Sequence, residues 1–362
     1  MAELSGAGYS DEAQHHYWVE GYLDTPIGQV RRIKTTLTTQ DKQDGYKARW
    51  GINRYNYTVS PGLYAVGNPD NQAPILVTAN YKLTFDALRK QLGQQNLWLM
   101  VLDTKGINVW CAAGKGTFGT TELISRIKSL GLDTVVTHRR IIIPQLGAPG
   151  VAGHEVFKHT GFKVVYGPVR AEDIGEFLAN NQQTTPDMRV VKFTMADRLI
   201  LTPMEIVPGL KFLLLPLALL LMLNLLNLQN ISLLNALQIS LVNFLPYLGA
   251  FLMGTLFTPL LLPYIPFRSF ALKGLVLGVI WAIVYLKFNA LFLFPDRQLV
   301  LAGNTLLMLA SSSFLALNFT GSSTYTSLSG TLKETIITVP LAAFASLVGV
   351  GLLVADKILS VG

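Results

Sequence analysis

The chain has 362 residues; half are hydrophobic, only 14% are charged, and the net charge is +7. That balance is unusual for a wholly soluble enzyme of this size. A single cysteine excludes an intrachain disulfide framework, and equally a Cys-ligated iron–sulfur cluster or a Cys-rich zinc site built from this chain alone.

The average hides two halves. Residues 1–209 hold 22 of the 29 Lys and Arg and 19 of the 22 Asp and Glu, leaving 7 and 3 for residues 210–362. A water-soluble domain followed by a membrane domain is expected, with no nucleic-acid partner. Residues 1–70 form a polar, irregular and β-rich segment. Short alternating runs there, such as Tyr46-Lys47-Ala48-Arg49-Trp50 and Tyr55-Asn56-Tyr57-Thr58-Val59, predict a few strands. Pro61-Gly62-Leu63-Tyr64 and Gly67-Asn68-Pro69-Asp70 are turn signals that close it. The opening MAELSGAGYSDEAQHHYWVEGY lacks an apolar core, so no signal peptide is read and the first domain is expected in the cytoplasm.

Residues 71–185 alternate apolar strands with amphipathic helices. Strands are predicted at 73–78, 97–103, 134–137, 140–144 and 162–166, with helices at 84–92, 122–127, 153–159 and 171–179. Thr120 or Thr121 is positioned to cap the second of these helices. The order predicts an α/β doubly wound, Rossmann-like domain with a mostly parallel sheet. Turn-rich segments at the strand ends, around Thr78 and Asn80, Gly147, and Gly167, should converge on one rim with Cys111. Residues 186–209 read as a closing strand (188–193) and a connector.

Residues 210–362 predict an all-α, five-helix transmembrane domain, with apolar runs at 210–228, 237–262, 271–294, 299–319 and 336–355. Each suffices for the ~30 Å hydrocarbon layer, which takes about 20 residues. Arg189, Lys192, Arg198 and Lys211 flank the first run, which puts that end in the cytoplasm by the positive-inside rule. A multi-pass protein of the cytoplasmic (inner) membrane follows, its soluble domain on the cytoplasmic side. Asn224, Asn227, Asn235 and Asn243 are expected to join helices by hydrogen bonds.

The chemistry centres on Cys111. A buried, inert thiol is the ordinary fate of an isolated cysteine. Against that stand its place after a strand end, its Gly-rich exit, and the flanking Asn108 and Lys115. Thiols at helix starts beside a cation are more acidic than free cysteine, and the thiolate is the form that binds soft metals. Gly114-Lys115-Gly116-Thr117 falls short of a phosphate loop, because Val109 stands where the first Gly is needed and Gly116 where Ser or Thr is needed. A Cys–His pair with His138, His154 or His159 has no identifiable Asn or Asp to orient it.

The string Asn108-Val109-Trp110-Cys111-Ala112-Ala113-Gly114-Lys115 resembles without exception the cap-helix signature N-(V/I)-W-C-A-(A/G)-G-K of the corrinoid-dependent mercury methyltransferases, the corrinoid subunit of the mercury-methylating protein pair. The loops VTANYKLTFD, PQLGAPGV and YGPVRAEDI resemble those of the corrinoid domain in the corrinoid iron–sulfur protein large subunit, and the five-span half is similar to that of the mercury family. The resemblance runs over residues 70–360. The iron–sulfur relative's Cys motif is absent, so electrons must come from another chain. The common cobalamin motif Asp-x-His-x-x-Gly is absent too, which leaves the thiolate as axial ligand.

The resemblance implies a base-off cobalamin or related corrinoid, held by residues 108–115 with Thr78, Asn80, Gly147 and Gly167. Cys111 is implied as the catalytic residue and the lower axial ligand of cobalt. It further implies methyl transfer to Hg(II) as a carbanion equivalent or a radical. The implied partners are a methyltetrahydrofolate-linked donor and a ferredoxin-like protein with two four-iron clusters. Asn108 has two roles open, a bond to the sulfur or a helix cap. Trp110 either shields cobalt or packs, and Lys115 either meets the thiol or a corrin amide, or is solvated. Two rival functions remain: a membrane-bound corrinoid methyl carrier with another acceptor, and a non-enzymatic cofactor-sensing receptor.

Overall fold

The computed structural model describes residues 16–225, 232–292 and 297–361. Residues 1–15, Asn227 and the loop position Asp296 lie outside them. The chain divides into an N-terminal unit, which ends at Val191 and leaves out Arg49–Gly51, and a C-terminal unit, which runs from Lys192 and takes in Arg49–Gly51.

The N-terminal unit contains β1 (Val19–Thr25), β2 (Gly28–Ile33), α1 (Thr39–Arg49), β3 (Gly62–Val66), β4 (Ile75–Ala79), α2 (Lys82–Arg89), β5 (Leu97–Leu102), α3 (Val109–Lys115), α4 (Thr120–Ser129), the single turn α5 (Leu132–Val135), β6 (Arg140–Ile143), α6 (Gly153–Thr160), β7 (Lys163–Tyr166) and α7 (Ile174–Ala179). The strands form one sheet in the order β1-β2-β3-β5-β4-β6-β7. It is mixed: β1 with β2 and β3 with β5 are antiparallel, and the other pairs are parallel. Its parallel heart, β5-β4-β6-β7, winds both ways from the gap between β4 and β6, the place where such sheets reverse strand order and open a crevice.

Side-chain alternation explains why the heart strands read as continuous apolar runs. Ile75, Val77, Ala79, Trp98, Met100 and Leu102 enter a core under α3, α4 and α6, while Leu76, Leu97, Leu99 and Val101 enter the opposite core with Phe85 of α2 and Phe177 of α7.

The structure differs from several expectations. The run 46–50 is the end of helix α1, and the turn signal at Pro61-Gly62 opens the wholly buried strand β3. Residues 19–66 thus supply three strands to the same sheet. The segment 134–137 carries a helical turn, because Gly131 in a left-handed conformation starts α5 there. No strand forms at 188–193; a 3-10 turn, Asp187–Arg189, precedes irregular backbone.

The C-terminal unit is helical: α8 (Met195–Leu201), α9 (Pro203–Leu225), α10 (Leu233–Leu252), a π turn (Met253–Phe257), α11 (Thr258–Leu261), α12 (Phe270–Lys287), α13 (Gln298–Asn318) and α14 (Leu328–Val361). Five stretches are long and apolar enough to cross a membrane by length and composition: Pro203–Met222, Leu233–Leu261, Phe270–Lys287, Gln298–Ser322 and Ser329–Leu359. Gly274 lets α12 lie against α13, since a Cβ there would come within 2.5 Å of the Ser312 carbonyl oxygen. Polar side chains bridge helices as expected for Asn224, which donates to Ser240 at 2.9 Å, and the Asn304 amide of α13 donates to Tyr285 of α12, also at 2.9 Å. Asn235 instead lies in the first turn of α10, where its N–H donates to Ser232.

Candidate functional site around Cys111

Thr104, buried beyond the end of β5, fixes the turn that leads into the cysteine helix. Its N–H and hydroxyl both donate to Asn80 Oδ1, at 3.1 and 2.8 Å, and the Gly106 N–H donates to the same oxygen at 3.0 Å. Asn80 Nδ2 donates to Asp103 Oδ1 at 3.2 Å, so this amide staples the loop after β4 to the loop after β5. The Asp103 carboxyl sits below its ordinary range: partial burial pushes it up, and hydrogen bonds from Lys105 more than reverse this. Lys105 and Gly106 turn the chain through positive φ of 59° and 69°, and α3 follows.

Asn108 caps α3. Its side-chain oxygen accepts from the Cys111 N–H at 2.9 Å, which assigns it the capping role of the two left open. Val109, Ala112 and Ala113 turn inward and are buried. Trp110 and Cys111 are half-buried, and Gly114 and Lys115 are exposed. Spaced three apart, Cys111 and Gly114 share the outer face of the helix. A Cβ on Gly114 would meet nothing within 4 Å. The thiol therefore lies on the same helix face as bare backbone, at a point where no described residue comes within 4 Å of the place a Gly114 Cβ would take. Lys115 makes no ion pair among the described residues.

Beneath α3 lies the loop after β6, the 3-10 turn Gln145–Gly150. A Cβ on Gly147 would fall 2.4 Å from the fully buried Phe118 ring, and one on Gly150 would fall 3.1 Å from the Ala113 Cα. Gly147 therefore serves close packing under the helix. Gly167 packs similarly, on Ile142 and the Ile143 carbonyl, while Thr78 is buried within β4. These four positions, with Asn80, thus serve packing and hydrogen bonding within the protein.

Sequence reading missed the clamps. Thr120 or Thr121 was expected to cap α4, but Gly119 holds the N-cap position; the Thr120 hydroxyl instead accepts from the Ala152 N–H at 2.8 Å and ties α4 to the loop after β6. Glu122 accepts from the Asp103 N–H at 2.9 Å and from Arg126 at 2.7 Å, joining β5 to α4. Its place in the first turn of a helix after a strand end was the available signal. The histidines lie elsewhere: His138 bonds the Ala73 carbonyl at the N-terminal end of the strands, and His154 and His159 flank Glu155 on α6. Among the described residues no three His, Cys, Asp or Glu side chains gather into a metal site. Among the described residues, the rim thus offers one soft thiol on the helix face where Gly114 leaves open space.

Residues 53–178 match a known family. Its description is the CO dehydrogenase/acetyl-CoA synthase delta subunit, and the match covers β3 through most of α7, with the whole Cys111 rim inside it. The chain is 34% identical over 125 residues to the acetyl-CoA decarbonylase/synthase complex subunit gamma of Methanocaldococcus jannaschii, covering 34% of this chain and 25% of that protein. It is 30% identical over 125 residues to the corrinoid/iron–sulfur protein large subunit of Moorella thermoacetica, covering 34% of this chain and 28% of that protein. The Methanopyrus kandleri gamma subunit matches at 33% identity over 122 residues. Residues 53–178 are thus similar to these subunits, while β1, β2 and α1 lie outside the family match, and the chain spans about a quarter of the relatives' length. The C-terminal unit falls outside the family match.

Proposed function

We propose that this chain is a membrane-anchored corrinoid protein that transfers a methyl group to Hg(II), forming methylmercury, with Cys111 as the residue that would hold the corrinoid's cobalt. The observation that carries the reading is the pairing of a half-buried thiol with the bare Gly114 backbone, inside the eight-residue string 108–115 and within the region homologous to corrinoid proteins. When bound, a corrinoid supplies a cobalt centre that accepts and releases methyl groups.

The chain's own residues supply the rest. Asn108 and Gly116 fix the two ends of α3, so Cys111 is presented from a short, rigid element rather than a loop. Gly114 leaves room for a macrocycle to lie flat against the helix. As a thiolate, Cys111 would be a soft, strongly donating ligand for a bound corrinoid's metal, and that donation would make a methyl group carried there a better donor to an electrophile. Hg(II) is such an electrophile. The mercury–carbon bond takes up an electron pair, and the single cysteine leaves no iron–sulfur cluster in this chain to replace it. A ferredoxin-like protein with two four-iron clusters is the proposed electron donor, and a methyltetrahydrofolate-linked protein the proposed methyl source. The five apolar helices support a multi-pass place in the cytoplasmic membrane.

Complementation of a deletion strain tests the ligand. Cys111→Ala and Cys111→His should both abolish methylmercury formation, the second while cobalamin still copurifies; unchanged methylation by either variant removes the thiolate mechanism. A second acceptor is favoured by the relatives' names, which speak of acetyl-CoA synthesis. Feeding labelled methyl donor with and without Hg(II) separates the two. A colourless protein that ignores added cobalamin would instead fit a sensor without corrinoid.

A further inference from the structure

Among the described residues, two buried cations of the C-terminal unit have no carboxylate at ion-pair distance. Arg198 of α8 is 3% exposed. Its Nη1 donates to the Phe193 carbonyl at 2.6 Å and its Nη2 to the Leu260 carbonyl at 3.0 Å, while Nε is buried with no partner among the described residues. Lys273, in the first turn of α12 and 8% exposed, donates to the Leu262 carbonyl. An ammonium has three N–H groups to place. Among the described residues, neither cation has a carboxylate within ion-pair distance. Two acids of the same unit are engaged elsewhere: Glu334 accepts from Ser269 Oγ and the Ala271 N–H, at 2.7 and 2.6 Å, and Glu205 accepts from Ser322 at 3.3 Å.

Both cations converge on the last carbonyls of the helix that runs through α10, the π turn and α11. Capping explains part of this, but a helix C-terminus offers only about half a negative charge. Two full positive charges withdrawn from water need more compensation than that. The surface around them has a distinctive make-up. Met195, Leu199 and Ile200 are about half exposed on the outer side of α8, and Tyr264 and Phe267 are exposed beside Arg268 in the loop before α12. Apolar, aromatic and basic side chains mixed at the end of a membrane-length helix suit the headgroup layer of a bilayer.

We propose that this end of the helical unit binds an anionic phospholipid, whose phosphodiester supplies the counter-charge for Lys273 and Arg198 while its acyl chains lie along Leu199, Ile200 and Phe267. A lipid is favoured over free phosphate because the cations lie behind an apolar rim, which an inorganic ion would leave bare. The inference rests on the membrane reading of the five helices and deepens it.

The test uses the full chain in a zwitterionic detergent. Phosphatidylglycerol should raise the unfolding midpoint by several degrees, as expected for a ligand added at roughly 100 times its dissociation constant. Phosphatidylcholine and inorganic phosphate should not, and native mass spectrometry should show a retained phosphatidylglycerol adduct. Lys273→Gln and Arg198→Gln should lose the shift, and Lys273→Arg should keep it. Equal shifts with both lipids, an undiminished shift in Lys273→Gln, or the full shift with phosphate alone would each overturn the proposal. A carbonate wash of cell membranes separates the two levels: release of the chain into water defeats the membrane reading as well, whereas a retained chain without lipid selectivity defeats only the lipid site.

Discussion

At the scale of single residues, Gly114 separates structural need from functional need. A glycine inside a helix costs about 1 kcal/mol relative to alanine, and here a Cβ would meet nothing within 4 Å. Gly114→Ala should therefore stabilise the protein by about 0.5–1 kcal/mol, read as a rise in unfolding midpoint. Gly114→Leu should fold as well as the parent yet lose cobalamin, measured by visible absorbance of the purified protein, because its side chain would fill the strip beside the thiol. A leucine variant that binds cobalamin with unchanged affinity would show that no planar cofactor lies there. This residue was legible in the sequence only as part of a string. Its neighbours show why: Gly147 and Gly150 are also glycines in the rim, but they are small because Phe118 and Ala113 press against them, and the sequence does not distinguish a glycine that makes room for its own chain from one that makes room for something else.

At the scale of elements, α1 and α2 are joined by charge where most helices are joined by oil. Lys82 donates to Asp41 at 2.9 Å and to Asp86 at 2.6 Å, and Arg89 meets the same two carboxylates at 2.6 and 2.7 Å, all four side chains being buried. This accounts for the misreading of residues 46–50. The inward face of α1 is Asp41, Gly45 and Ala48, so the helix carries no apolar periodicity to reveal it, whereas β4 and β5 announced themselves as unbroken apolar runs. Removing one partner from a buried ion pair typically costs about 3–5 kcal/mol, and Asp41→Asn should destabilise the sheet unit by that order. The pH dependence follows. Burial pushes the Asp41 carboxyl up, but hydrogen bonds from Arg89, Lys82 and the Thr38 backbone outweigh it and hold the group well below the usual carboxylate range. A group depressed in the folded state stabilises it above the unfolded value, near pH 4, and that contribution fades as pH falls towards the folded value. The parent should lose stability more steeply than Asp41→Asn as pH drops below about 4, measured as unfolding midpoint against pH. Parallel curves would remove Asp41 from the acid response.

At the scale of the whole molecule, the apolar runs in the sequence anticipated five membrane-length helices, but the position and nature of the junction before them were not legible. Alternation at 188–193 suggested a strand closing the sheet; the sheet instead ends at β7, and its other edge is built by the β1–β2 hairpin from residues that looked irregular. The hairpin joins the sheet where Arg31 of β2 pairs with Tyr64 of β3, and partners so distant in sequence leave no local trace. The consequence is testable because the backbone from Val190 to Thr194 has neither helix nor strand, and Val190, Val191 and Lys192 are exposed. Irregular, exposed backbone between two compact units is where proteases cut first. Limited trypsin digestion of the cobalamin-loaded chain in detergent should cut after Arg189 or Lys192, giving a water-soluble fragment and an apolar fragment. If the rim of the parallel sheet is the cofactor's seat, the corrinoid absorbance should travel with the soluble fragment on gel filtration without detergent. Absorbance that stays with the apolar fragment would move the cofactor site into the helical unit, and Cys111 would then be a structural thiol.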